Sequence, residues 1–304
     1  MKTVTITGGA GFIGYWTAKR LLEEGFEVKI LDNLHTAHML SKIRELGLEV
    51  IRIDVRDTIG LERAFKSSDY VIHLAALISV EESSKVPELY HEVNATGTLN
   101  VLKAAMKAGV DKVVYGSSAA VYGVPNELPI QEDHPTKPIS IYGATKLAGE
   151  AYCSSFHKTF GLETIILRYF NAYGPGQSEE YAGVIERFIK RVKGGEPPII
   201  YGDGLQTRDF VYVEDVANAN LLALNNPINF GIFNIASGKS ITILDLARMI
   251  LDFLSSDLKP VFAPPRKGDI RHSIANIQRA KKVLGFEPRI DLESGIRKII
   301  EEEI

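Results

Sequence analysis

Short β-branched segments recur along the first half of the chain, separated by longer stretches whose apolar residues fall at helical spacing. The pattern predicts strands at Val4–Thr7, Val28–Leu31, Val50–Asp54, Tyr70–Leu74, Val113–Gly116 and Thr164–Arg168. Between them, Phe12–Glu24, Thr58–Lys66, Pro87–Ala108 and Ile141–Phe160 read as amphipathic helices. Strands that are apolar throughout are buried on both faces, which requires a parallel sheet covered by helices. Alternation of this kind predicts a doubly wound α/β sheet. After Asn171 glycine and proline punctuate the chain, and helices at Val184–Lys193, Asp215–Leu224 and Leu244–Leu254 are joined by longer loops. The expected organisation is a Rossmann-like domain over 1–170, taking in about 210–236 as well. Residues 171–304 would then form a smaller, interleaved α/β region that binds substrate.

Composition narrows the function classes. With 45% hydrophobic residues the 304-residue chain can bury a substantial core, and its net charge of -3 supplies no footprint for nucleic acid or an anionic membrane. No apolar run approaches the roughly 18 residues that span a bilayer, and the first residues form a strand rather than a signal peptide. A cytoplasmic, soluble protein is expected. The single cysteine, Cys153, excludes an internal disulfide and a cysteine-based metal cluster. Glu301–Glu303 reads as a solvated helix face.

Two constellations carry chemistry. The run Thr7-Gly8-Gly9-Ala10-Gly11-Phe12-Ile13-Gly14 lies between the first strand and the first helix, where glycines let backbone approach a pyrophosphate at a helix N-terminus. Asp32 ends the second strand and can accept hydrogen bonds from a ribose diol. No arginine follows it directly, which favours NAD over NADP. Asp54-Val55 could border the adenine and Leu74-Ala75-Ala76 could let the cofactor pass, although both also suit ordinary strand ends. The second constellation is Tyr142 and Lys146, at i and i+4 on one helix face, standing after Tyr115-Gly116-Ser117-Ser118. A lysine beside a phenol favours the phenolate and makes it a general base, and the Ser118 hydroxyl sits where it can bond the same substrate oxygen.

Beyond these, the chain resembles the extended short-chain dehydrogenase/reductase family, in its nucleotide-sugar epimerase and dehydratase branch. The resemblance runs through Thr7–Gly14, Asp32-Asn33-Leu34, Asp54–Asp57, His73–Ala76, Val93-Asn94 with Gly97-Thr98, and Gly116–Gly123. It continues through Tyr142–Lys146, Arg168–Asn171, Arg208–Val213 and Arg266-Lys267-Gly268-Asp269. It implies NAD bound by Gly8, Gly11, Phe12, Ile13, Gly14, Asp32 and Asn33, with Asn94 ordering the helical region beneath. It further implies Tyr142 as base, Lys146 on the nicotinamide ribose and Ser118 on the sugar hydroxyl. Asn171 would meet the substrate diphosphate or sugar, Arg208 and Arg266 the diphosphate, Asp269 the nucleotide ribose and Tyr201 the base. Asn171 and Asp269 also suit loop capping. Ser273 would leave room for an N-acetyl group at the sugar's 2-position.

Within the branch, dehydratases follow the active-site hydroxyl with an Asp-Glu pair and decarboxylases place a glutamate nearby, whereas this chain has Ala119-Ala120. Methyl groups transfer no protons, so the resemblance implies 4-epimerisation of UDP-glucose and UDP-galactose. The alternatives are a related oxidoreductase or epimerase of a UDP-uronate or GDP-sugar, and an NAD-binding regulator without catalysis. Three features depart from the family pattern. Ile78 replaces a cofactor-contacting lysine of some epimerases, Glu186 replaces a frequent proline, and His35 and His38 read as solvated loop histidines with no third metal ligand. His73, His157, Cys153 and Trp16 read as packing residues. The resemblance also implies a homodimer through the helices at Pro87–Ala108 and Ile141–Phe160, and Val101, Leu102, Ala105, Leu147, Ala151 and Phe156, more than one sheet-facing stripe requires, lend it mild support.

Overall fold

A computed structural model describes residues 1–177, 183–266 and 268–302. Lys267 of the family segment and Glu303 of the terminal run lie outside the described residues. Strands β1 (Thr3–Thr7), β2 (Glu27–Asp32), β3 (Val50–Arg52), β4 (Tyr70–His73), β5 (Lys112–Ser118) and β6 (Glu163–Tyr169) follow the expected order. Four short strands come next: β7 (Asn171–Tyr173), β8 (Ile199–Tyr201), β9 (Thr207–Arg208) and β10 (Phe210–Tyr212). The last strands are β11 (Phe230–Ile235), β12 (Ile241–Thr242) and β13 (Val261–Ala263). The earlier helices are α1 (Phe12–Glu23), α2 (Leu40–Glu45), α3 (Thr58–Phe65), α4 (Val80–Ser83), α5 (Pro87–Tyr90), α6 (Gly97–Ala108) and α7 (Ile141–Phe160). They are followed by α8 (Val184–Lys193), α9 (Val213–Asn225), α10 (Ile243–Phe253) and α11 (Leu292–Glu302).

The main sheet has seven strands in the order β11-β6-β5-β4-β1-β2-β3, parallel throughout. One apolar layer joins its strands to α1 and α9 through Ala18, Leu21, Val216 and Ala219. The other joins them to α3, α6 and α7 through Leu61, Phe65, Val101, Leu102, Cys153 and Phe156. β1 reads as alternating in sequence, yet all five of its residues are buried. Its threonines are satisfied inside, Thr5 by the Ser68 hydroxyl at 2.6 Å and Thr7 by His73 at 2.7 Å. Strand order reverses between the neighbours β1 and β4, which opens the crevice where ligands bind in such sheets.

Four expectations need correction. The helix expected over Pro87–Ala108 is three pieces: α5, a π-helical turn at His91–Thr96, and α6. One wide turn leaves periodicity and propensity almost untouched, so it has no sequence signature. The third strand stops at Arg52, which frees Asp54 from the ladder. β11 is a full sheet member, paired with β6 from Phe230–Thr164 to Ile235–Tyr169. Its apolar run is broken by Gly231, whose missing side chain admits the Phe233 ring 2.5 Å from where a Cβ would stand. The apolar surplus offered for a dimer is largely spent within one chain: Val101, Leu102, Ala105 and Phe156 are buried in the core, Leu147 is half-buried and Ala151 is exposed.

After β6 the chain builds a further apolar cluster from β7, β8, β10, α8, α10 and α11, centred on Ile189, Ile200, Leu246, Ile250, Ile296 and Ile299. β7 pairs with β10, which sets this cluster against the C-terminal edge of the main sheet. Among the described residues no helix is long and apolar enough to cross a membrane.

Candidate active site

The glycine loop and the end of β4 wall a cavity of about 310 Å³. Gly8 has φ +70, and a Cβ there would stand 2.6 Å from the Ala75 amide; one on Gly14 would stand 2.4 Å from the Gly8 carbonyl. Backbone on both sides leaves nothing to give way. Helix α1 begins with Gly11 as N-cap and no side-chain cap, so its first amides face the cavity available to an anion. Gly8, Gly11, Phe12, Ile13 and Gly14 all line it, as do Asp32 and Asn33.

Asp32 accepts the Ala10 amide at 3.1 Å and the Leu34 amide at 2.8 Å, which aims its remaining lone pairs across the cavity. Burial raises its pKa, opposed by those two amides. Leu34 takes the left-handed conformation, φ 65, a strained choice for a branched residue placed beside a functional carboxylate. Asp54 stands apart from the lining: its carboxylate holds the Arg56 fork at 2.9 and 3.0 Å and Asn33 Nδ2 at 2.9 Å. The pairing with Arg56 holds its pKa well below the ordinary carboxylate range. Val55 and Arg56 line the cavity in its place. His35 and His38 are exposed at its rim, and Ile78, half exposed, borders it from the other side.

Leu74, Ala75 and Ala76 line the opposite wall. Asn94, on the π-helical turn, lies behind that wall and bonds both backbone groups of Leu77, at 2.8 and 2.9 Å, and the Thr145 hydroxyl at 3.1 Å. His73 is bonded at both nitrogens, to Thr7 at 2.7 Å and Thr98 at 2.9 Å. The Thr98 hydroxyl donates to the Asn94 carbonyl at 2.6 Å, so it accepts from His73 Nε2–H and leaves Nδ1 to accept from Thr7. Burial drives the His73 pKa down to about 3, with a smaller contribution from Lys146.

Tyr142 and Lys146 enter the same cavity from the first turns of α7, whose start is fixed by Ser140 accepting the Gly143 amide at 3.0 Å. Lys146 Nζ donates to the Gly116 carbonyl at 2.8 Å and lies 5.1 Å from the Tyr115 ring centre. Burial lowers its pKa to about 8, against raising effects from Cys153 and Glu150. Burial also raises the Tyr142 phenol, and a hydrogen bond with Ser118 opposes the rise. In the protein alone burial sets the direction for Tyr142, and the effect that opposes it comes from Ser118. Ser118 closes β5 and accepts the Ala120 amide at 3.2 Å, while Ala119–Val121 makes a tight turn directly after it.

A second cavity of about 880 Å³ adjoins the first through Gln177, which lines both. Asn171, Tyr201, Arg208, Arg266 and Asp269 line it. The Asp269 carboxylate is paired with Arg208, so it holds that guanidinium in place. Arg266 lies over the Tyr201 ring, 4.0 Å from its centre, and lowers the phenol's pKa. Asn171 donates through Nδ2 to the Asp209 carbonyl at 2.9 Å. Ser273 is buried and outside the linings of both cavities.

The profile of the NAD dependent epimerase/dehydratase family matches residues 4–236 of the chain. This chain belongs to that family. It is 38% identical over 312 residues to the UDP-glucose 4-epimerase of Mycolicibacterium smegmatis, covering 99% of this chain and 98% of that one. Among solved structures, the UDP-N-acetylglucosamine 4-epimerase of Methanobrevibacter ruminantium, in complex with UDP-N-acetylmuramic acid, superposes with TM-score 0.93 at 40% identity over 99% and 97% of the two chains. The UDP-glucose 4-epimerase of Thermotoga maritima, solved with UDP-glucose, gives TM-score 0.93 at 37% identity over 98% and 97%.

As a member of the NAD dependent epimerase/dehydratase family the chain is an enzyme that uses NAD, and the first cavity suits it. Two glycines that admit no side chain, uncapped helix amides and an aimed carboxylate are a dinucleotide's requirements. Several residues of the site were not singled out from sequence. Arg56 lay inside the quoted segment Asp54–Asp57 but was given no role, because only the fold turns it into the cleft. His73 was read as packing, and its two hydrogen bonds depend on β1 and α6, elements far from it in the chain. Arg168 lay inside a quoted motif, but nothing along the chain announces its buried pairing with Glu150 at 2.9 and 2.7 Å.

Proposed function

We propose that this enzyme is a UDP-sugar 4-epimerase, acting on UDP-glucose and UDP-galactose and also accepting their N-acetylated counterparts. The observation that carries this reading is the pairing of Tyr142 with Ser118 at the mouth of the NAD cavity, followed by Ala119 and Ala120. Two hydroxyls can manage one alcohol proton, and no carboxylate follows to drive elimination. Relatives acting on glucose and N-acetylglucosamine forms support the reaction class.

In this mechanism Ser118 and Tyr142 both bond the sugar's 4-hydroxyl, and Tyr142 removes its proton. NAD, held in the first cavity by the glycine loop and Asp32, would supply the acceptor and donor for the C4 hydride. Lys146, held on the Gly116 carbonyl, stabilises the charge that Tyr142 gains. Arg208 and Arg266 grip the diphosphate, their planar forks matching its oxygens. With the nucleotide end held and the sugar end free, the 4-keto sugar turns over and presents its other face. Tyr142 then gives the proton back. A division of this work between the two cavities is supported by their linings: apart from Gln177 the first is lined by residues before 170, for the cofactor, and the second by residues of 171–304, for the nucleotide-sugar. A second copy of the chain is the partner we expect, now resting on family resemblance alone.

The test is a proton NMR time course with UDP-galactose and no added NAD. UDP-glucose rising to a fixed ratio without NADH supports the proposal. Stoichiometric NADH would make the enzyme a net oxidoreductase, and no conversion even with NAD would move the substrate to another nucleotide or sugar. Tyr142→Phe should abolish turnover and still bind NAD.

A further inference from the structure

Glu150 lies one helical turn beyond Lys146 on α7 and is 4% exposed. Its oxygens take both arms of the Arg168 fork at 2.9 and 2.7 Å, and the Ser117 hydroxyl donates to the same carboxylate. Arg168 spends its remaining donor on the Tyr122 hydroxyl at 2.8 Å and the Glu132 carbonyl at 2.9 Å. A buried ion pair is a poor device for stability, because desolvation offsets most of the attraction. Its location suggests another use. Ser117 stands between Gly116, whose carbonyl holds Lys146, and Ser118, which bonds Tyr142. Glu150 therefore grips the one residue that separates those two contacts.

Charge points the same way. The titratable groups around Lys146 are Tyr142, Glu150 and Cys153 on α7, Tyr115 on β5, His73 on β4, and Arg168 on β6 behind Glu150. Burial keeps His73 uncharged near neutral pH, and it pushes the Cys153 thiol and the Tyr115 phenol well above their usual ranges. Glu150 is the anion left to balance the Lys146 ammonium in this desolvated pocket.

We propose that Glu150 is a positioning residue: clamped by Arg168 and Ser117, it fixes the β5 rung that holds Lys146 and keeps that ammonium protonated. The proposal rests on the role given above to Lys146. Glu150→Gln retains the shape and an acceptor for Ser117 and removes the charge, leaving the Arg168 cation facing Lys146.

The experiment follows the lysine side chains of the NAD-loaded protein by carbon-13 NMR from pH 6 to 10, with Lys146 assigned by its absence in Lys146→Met. In Glu150→Gln the Lys146 midpoint should fall by about one pH unit or more. The alkaline limb of kcat should fall with it, while the KM for UDP-sugar moves less than about threefold. In Glu150→Gln/Arg168→Met the midpoint should lie between those of Glu150→Gln and the unaltered protein, because the stranded cation is gone. An unchanged Lys146 midpoint in folded Glu150→Gln overturns the proposal. Should that variant not fold, a midpoint in the double variant equal to that of the unaltered protein overturns it instead. The NMR midpoint needs no turnover, so failure of the epimerase reading would appear separately, as inactivity of the unaltered enzyme.

Discussion

Replacing His73 by asparagine tests the buried relay under the cofactor wall. The imidazole is 1% exposed, with Nε2–H fixed on Thr98 and Nδ1 accepting from Thr7, and it titrates near 3 rather than 6.5. A base whose pKa is depressed by folding binds its proton more readily when unfolded. Acid therefore favours the unfolded chain, and stability is lost as pH falls below 6.5 toward 3. Each pH unit in that window costs about 1.4 kcal/mol, so the drop from pH 6.5 to 5 costs about 2 kcal/mol from this one group. Asparagine removes the titration and forfeits one buried hydrogen bond, about 1–3 kcal/mol at neutral pH. The assay is proton uptake on unfolding at pH 5, read with an indicator dye. The unaltered protein should take up about one proton more than His73→Asn. Nitrogen-15 NMR should also find Nε2 protonated and Nδ1 bare at neutral pH. Equal proton uptake by the two proteins would refute the reasoning, since it would mean that His73 charges within the fold.

Further substitutions probe the two cavities. Gly14→Ala drives a methyl to 2.4 Å from the Gly8 carbonyl, and should weaken NAD binding at least tenfold by calorimetry, at a cost of about 1–3 kcal/mol in stability. Turnover should decline above about pH 8 as Lys146 loses its proton, and a kcat profile flat to pH 10 would detach that group from catalysis. Arg208→Met removes a charged diphosphate contact and strands Asp269, so the KM for UDP-sugar should rise about ten- to hundredfold with a smaller change in kcat. Ser273→Tyr should suppress activity on N-acetylated sugars and spare the plain hexose; because Ser273 is buried, thermal melts must accompany the rates, and equal loss on both sugars would sink the wall assignment.

Much of the scaffold was legible along the chain because parallel strands buried on both faces leave apolar runs, and covering helices leave a periodic stripe. Five of the six early strands and the long helix Ile141–Phe160 came out close to where the pattern placed them, and the third strand stops two residues short. The glycine loop, Asp32 and the Tyr142–Lys146 pair were legible for a different reason: each is local, set by backbone tolerance or by one helical turn. β11 was missed because Gly231 and Asn234 interrupt its run, and partnership with β6 supplies what local preference does not. The turn at His91–Thr96 was missed because a single wide turn hardly disturbs propensity.

The sequence by itself determined the layered α/β architecture, the cofactor loop and the chemical pair, since those depend on short-range spacing and on where apolar residues recur. Tertiary structure decided how the charges are spent. It turned Asp54 onto Arg56, set Asp269 on Arg208, buried Glu150 against Arg168 and held His73 neutral between two threonines. These partners lie up to 66 residues apart in the chain. A side chain's charge and direction follow from desolvation and from which partner comes within hydrogen-bond reach, and both are properties of the folded surroundings.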